Sequence, residues 1–210
     1  SGIIAQNTLD NSGLVKAPEG GGAWNFIKKL TASSSATLSF VDGTSDVVLD
    51  STYKMYLFTF NNMHPSYSTP HYTRLTFNMS IDGGTNYNIA KTTTAFTTQH
   101  GESGTGAELN NEPSQDLAQG TGFQPITQAI GDDNDNSASG RLYLFDPSST
   151  VFIKHFMATS TNVWKYSEPY AYHFFSAGYG NTTSAVDAVQ FKMANENIDS
   201  GDICLYGLTT

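Results

Sequence analysis

The stretch Ala185-Val186-Asp187-Ala188-Val189-Gln190-Phe191-Lys192-Met193-Ala194-Asn195-Glu196-Asn197-Ile198-Asp199-Ser200-Gly201-Asp202-Ile203-Cys204-Leu205-Tyr206-Gly207-Leu208 reads as two strands around a reversal. Val186, Val189, Phe191 and Met193 carry the apolar face of the first segment, and Ile203, Leu205, Tyr206 and Leu208 supply that of the second. Between them, Asn195 to Gly201 gathers Asn, Asp, Ser and Gly, residues that fold back on their own backbone or tolerate positive φ. The pattern predicts a tight hairpin whose closing strand is inserted in a sheet.

Working outward, the same period of two recurs along most of the chain. Trp24, Phe26 and Ile27 open a strand, Ala36 to Val41 alternates, and Asp42-Gly43 is a turn before Asp46 to Leu49. Tyr53 to Phe60 is aromatic and long enough for a central strand, and Arg74 to Ile81 alternates until Asp82-Gly83-Gly84 stops it. Tyr87 to Thr98 adds a Thr-rich strand, while Arg141 to Phe145, Val151 to Met157 and Tyr170 to Phe175 add three more. Gln99 to Gly140 is different: rich in Gly, Asn, Asp and Ser, it reads as a long loop excursion of the functional or disordered kind. The whole predicts an all-β protein, an antiparallel β-sandwich of jelly-roll-like form, with under about 10% helix.

Two segments follow from this. Residues 1–22 form an extended N-terminal arm ending in the hinge Pro18-Glu19-Gly20-Gly21-Gly22, and residues 23–210 form a single sandwich domain. The arm carries Ile3, Ile4, Leu9, Leu14 and Val15 among polar residues, apolar beads suited to its own domain or to a neighbouring subunit.

Composition narrows the partners. A net charge of −9 with only 10 Lys and Arg in 210 residues gives little attraction for phosphate backbones or anionic lipid, so neither nucleic acid nor membrane is expected. The one cysteine, Cys204, lies in the apolar run Ile203 to Tyr206 and is expected to be a buried structural thiol. No run approaches a membrane span, and Ser1 to Gly22 lacks the pattern of a secretion signal, which points to synthesis in a cytoplasm.

Chemical motifs are few. His100 to Gly106 approaches a nucleophile elbow, but Thr105 stands where G-x-S-x-G needs glycine, and no Gly-Lys-Ser or Gly-Lys-Thr follows to make a phosphate loop. Asp132-Asp133-Asn134-Asp135-Asn136 offers oxygens at alternate positions like a calcium loop, yet Ser137 and Tyr143 replace its glycine and its closing glutamate. The five histidines show no metal-binding spacing. No catalytic residue, metal or cofactor is expected. Two loops, Asn61 to Tyr72 and Asn162 to Tyr170, display aromatic and polar surface. Tyr67, Tyr72, Trp164, Tyr166 and Tyr170 are accordingly the candidate contacts for protein or glycan.

Four stretches carry a family resemblance: Trp24 to Gly43, Tyr53 to Pro65, the turn Ser80-Ile81-Asp82-Gly83-Gly84-Thr85-Asn86-Tyr87, and Ile198 to Leu208. Together they resemble small β-sandwich virion structural proteins of marine tailed bacteriophages. The resemblance implies a non-enzymatic virion subunit, foremost a capsid decoration or cement protein that binds the major capsid protein and itself, as a homotrimer. A tail- or fibre-associated module that binds a host-surface glycan is the second reading, and a hydrolase with a dispersed carboxylate pair is the least supported.

Overall fold

The structure, a computed structural model, describes residues 24–66, 71–165 and 168–208. The arm with Ile3, Ile4, Leu9, Leu14 and Val15, and the candidates Tyr67 and Tyr166, lie outside the described residues. Strands dominate: β1 (Trp24–Ser35), β2 (Leu38–Val41), β3 (Met55–Pro65), β4 (Tyr72–Thr73), β5 (Leu75–Ser80), β6 (Lys91–Gly101) and β7 (Glu108–Asn111) come first. Then follow β8 (Ala118–Gly120), β9 (Gln124–Pro125), β10 (Ile130–Gly131), β11 (Ala138–Phe145), β12 (Lys154–Lys165), β13 (Pro169–Gly180), β14 (Ala188–Met193) and β15 (Ile198–Leu208). Among the described residues one 3-10 turn, Pro113–Gln115, is the whole of the helix.

All the pairings are antiparallel. The large sheet has nine strands in the order β1-β15-β3-β11-β12-β13-β6-β7, with β8 also on β6; the small sheet has the order β2-β14-β5-β9; and β10 with β4 makes a separate ribbon. The protein is therefore an all-β sandwich, as the alternation predicts. A jelly roll divides eight strands between its two sheets; here the division is nine and four, and β11, β12 and β13 follow one another as a plain meander.

The C-terminal stretch corrects the hairpin expectation. β14 pairs with β2 and β5 in the small sheet, whereas β15 is inserted between β1 and β3 in the large one. Ala194 to Asn197 is thus an arch from one layer to the other, and its backbone is fixed by Ala194 N–H donating to Arg74 O and Ser66 N–H donating to Asn197 O. Alternation reports which face of a strand is apolar and is silent on which sheet the strand joins. Val189, Phe191 and Met193 from one side and Ile203 and Leu205 from the other point at the same core, whereas Tyr206, expected on the apolar inner face, turns outward.

That core is aromatic. Phe58 of β3 meets Phe40 of β2 and Phe191 of β14 at 5.3 Å each, and Phe77 of β5 meets Phe156 of β12 at 4.8 Å, so rings from the two sheets interlock. Leu142, Leu144, Ile203 and Leu205 complete the large-sheet side. Fully burying each such side chain contributes about 1.5–3 kcal/mol.

Two further expectations change. Asp46 to Leu49 is irregular, although Val47 and Leu49 are buried, because the run is bound to Asp42 through Leu49 N–H and to the turn through Val47 N–H. The excursion from Gln99 to Gly140 is built structure: buried amides bind it where apolar side chains are scarce. Thr93 Oγ1 donates to Gln124 Oε1 at 2.7 Å, Gln124 Nε2 donates to Gln115 O, and Gln128 Oε1 accepts from Arg74 and from Gln115.

Candidate functional site

The inner face of the large sheet is filled by the core, and its outer face spans nine strands, the most of any sheet among the described residues. Cross-strand register places side chains on it in rows. One row runs Phe26, Tyr206, Leu57, Tyr143, Met157, Ala177, Thr94 from β1 to β6, and the next runs Lys29, Cys204, Thr59, Arg141, Thr159, Phe175, Phe96, Asn111 as far as β7. Cys204 belongs here and is half-buried, not a core thiol: Ile203 and Leu205 take the inner positions, and alternation turns Cys204 outward.

This face is apolar along one band. Phe26 is 60% exposed, Leu109 70%, Met157 42%, Phe96 40% and Trp24 39%. Their rings pair along the surface: Phe26 with Tyr206 at 5.7 Å, Trp24 with Tyr143 at 6.1 Å, and Phe96 with Phe175 at 5.1 Å. Leu57 is buried although it lies outside the core cluster, between its cross-strand partners Tyr143 and Tyr206. A trough of about 550 Å³ lined by Phe145, His155, Met157, Ala177 and Tyr179 continues the band.

Beside the band lies a polar recess of about 410 Å³, lined by Thr59, Asn61, Arg141, Thr159, Thr161 and His173. It forms where the ladder is irregular, with register shifts in β11 between Ala138 and Gly140 and in β15 between Ser200 and Asp202. Such bulges bend strands and re-aim their side chains. Gly140 is needed there, because a Cβ would come within 2.7 Å of the Phe60 ring. Thr159 Oγ1 and His173 Nε2 are 2.7 Å apart, and the Arg141 guanidinium lies 5.6 Å from the centre of the Tyr143 ring. At the rim, Lys29 Nζ is 2.8 Å from Asp202 Oδ2. Hydrogen bonds from Lys29 first, and then from Thr31, hold the Asp202 carboxyl below its usual range.

The aromatic candidates gather elsewhere. Tyr72 lies in β4 and Trp164 at the end of β12, strand residues where loops were expected, and Tyr170 lies at the start of β13, where the predicted strand Tyr170 to Phe175 met the predicted loop. Trp164 faces Tyr170 across the ladder and meets Tyr72 at 4.7 Å; Tyr172 extends the cluster, 6.5 Å from Trp164 and 6.1 Å from Tyr170. All three candidates are half-buried and pack on one another. A cleft of about 210 Å³ beside Trp164 is lined by His71, Asp132, Asp133, Asn136 and Lys165, with His71 Nδ1 3.2 Å from Asp132 Oδ2. Among the described residues no three His, Cys, Asp or Glu side chains lie where one metal ion could be shared. Ser103, at the motif that fails as a nucleophile elbow, donates its hydroxyl to Glu168 at 2.7 Å, and this bond, with others from Ser103 N–H and Thr105, lowers the Glu168 pKa.

Sequence reasoning missed the outer band because each contributor looks like an ordinary strand residue. Only the register, which joins β1 to β15 and β3 to β11, lines up Phe26, Tyr206, Tyr143 and Met157. The chain matches no family model, no curated protein and no solved structure.

Proposed function

We propose that the chain is a non-enzymatic structural subunit of a tailed-phage virion, a capsid decoration or cement protein, whose outer sheet face packs against a second copy or the capsid shell. The observation that carries the docking role is the band from Phe26 to Leu109: five large apolar side chains, each at least 39% exposed, on one rigid face of a chain with mean hydropathy −0.32. Contiguous apolar surface of this kind marks an interface. The virion setting rests on the four sequence stretches that resemble phage structural proteins. A closed homotrimer in many copies suits a subunit that gains strength from repeated weak contacts.

Mass spectrometry of purified particles tests the setting, with many copies per virion expected. Light scattering tests the face: the native chain should associate, and the double change Phe26→Ser, Met157→Ser should shift it to monomer with the fold intact by circular dichroism. A native monomer whose occupancy on particles is unchanged by Phe26→Ser, Met157→Ser overturns the docking reading.

A tail- or fibre-associated glycan-binding module is the second reading. It is favoured by the recess, which gathers Arg141, His173 and three threonine hydroxyls, with the Arg141 guanidinium over the Tyr143 ring. Glycan-array binding that is lost in Arg141→Ala supports it.

A further inference from the structure

Between the two sheets lies a second chemical site, formed by Lys91 at the start of β6 and Asn78 in β5. Both side chains are fully buried. Lys91 Nζ donates to Asn78 Oδ1 at 2.6 Å and to Ile89 O at 2.8 Å, two neutral oxygens. Burial pushes the lysine pKa down to about 7, so much of the amine is unprotonated near neutral pH. A desolvated, neutral lysine is a nucleophile.

The carboxamide in front of it is held in one orientation. Asn78 Oδ1 also accepts from Met79 N–H at 2.8 Å, while Nδ2 donates to Tyr87 O at 2.6 Å, Thr121 O at 3.0 Å and Gly122 O at 3.4 Å. With Nζ 2.6 Å from Oδ1 and a carbonyl bond of about 1.23 Å, Nζ lies at most about 3.8 Å from Cγ.

We propose that Lys91 and Asn78 join in a spontaneous intramolecular isopeptide bond that staples the small sheet to the large one. The nitrogen lone pair of Nζ adds to Cγ, and the carbonyl π pair moves onto Oδ1, where Met79 N–H stabilises the negative charge. One proton passes from Nζ to Nδ2. The Cγ–Nδ2 bond then breaks, its electron pair leaves with nitrogen as ammonia, and a Cγ–Nζ amide remains. One amine and one carboxamide give one secondary amide and one ammonia, with no oxidant and no co-reactant. The three carbonyl oxygens around Nδ2 accept the hydrogens of the departing group. The reaction occurs once per chain, and groups fixed in orientation react as though present at about 10⁵ M or more.

Lys154 is the internal control. It is fully buried in the same cross-strand row, with Gly180 between it and Lys91, but its Nζ meets only the main-chain carbonyls of Ser149 and Phe152, which offer no leaving group.

Intact-mass spectrometry of the full chain, denatured after a day at pH 8, decides the matter. The expected mass is short of the sequence mass by one ammonia, and protease digestion should give a branched peptide joining Asn78 to Lys91. Lys91→Arg should restore the full sequence mass. An asparagine succinimide gives the same loss but survives Lys91→Arg; that outcome, or an undiminished native mass, overturns the proposal.

Discussion

Phe191 stands where rings of both sheets converge, with Phe58 at 5.3 Å, Phe40 at 6.2 Å and Phe77 at 6.4 Å. Phe191→Ala removes the shared member and leaves a cavity, which costs about 3–5 kcal/mol. Thermal unfolding should show it, at roughly 2–4 °C in Tm for each kcal/mol. Lys154 yields a prediction in pH. Burial lowers its pKa in the folded state, opposed by the Asp146 carboxylate, while the unfolded chain keeps the ordinary value near 10.5. Below the folded value both states are protonated and the cost of burying the cation is present in full. Between the folded value and about 10.5 the unfolded state binds more protons, so this residue makes stability rise with pH across that window. Urea midpoints from pH 7 to pH 10 should climb in the native chain and less steeply in Lys154→Met, because a free Lys91 amine, also lowered by burial, adds slope of the same sign.

The arch at Ala194 to Asn197 is the last of the crossings that carry the chain between its two layers. Glu196 holds φ at +64°, a conformation that L side chains adopt only with strain. Glu196→Gly should therefore be neutral or stabilising by up to about 1 kcal/mol, whereas the β-branched Glu196→Val should destabilise by a similar amount or more, both read from denaturant midpoints. This arch also marks how far the sequence could be read. Val189, Phe191, Ile203 and Leu205 announce their apolar faces by spacing, and the turn residues announce a reversal. Nothing local says that the two strands part into different sheets, because that choice is made by β2, β5, β1 and β3, distant in sequence. The Gln99 to Gly140 excursion was opaque for a different reason. Its order comes from Gln115, Gln124 and Gln128 bonding inward, and a glutamine in a polar stretch looks the same whether buried or solvated. Of the candidate contacts, Tyr72, Trp164 and Tyr170 were legible as an aromatic group, while the outer band was not, since it exists only across strands.

For the whole molecule, the first described strand begins at Trp24, and the predicted arm of residues 1–22 precedes it in sequence. Deleting residues 1–22 should leave Tm within a few degrees of the native value and reduce occupancy on particles, measured side by side. Unchanged occupancy would exclude the arm as an attachment device. The insertion of β15 between β1 and β3 has a consequence for how the chain is made. Trp24 pairs with Leu208, and the next partner of that row is Met55, so the two earliest long strands have no ladder with each other and wait for Ile198 to Leu208. At synthesis rates of about 5–20 residues per second, β1 and β3 remain unjoined for on the order of ten seconds or more after Met55 is added. This end of the sheet closes only when β15 leaves the ribosome, and until then β1 presents both of its edges, not just the one it keeps in the finished sheet, to every other nascent copy nearby.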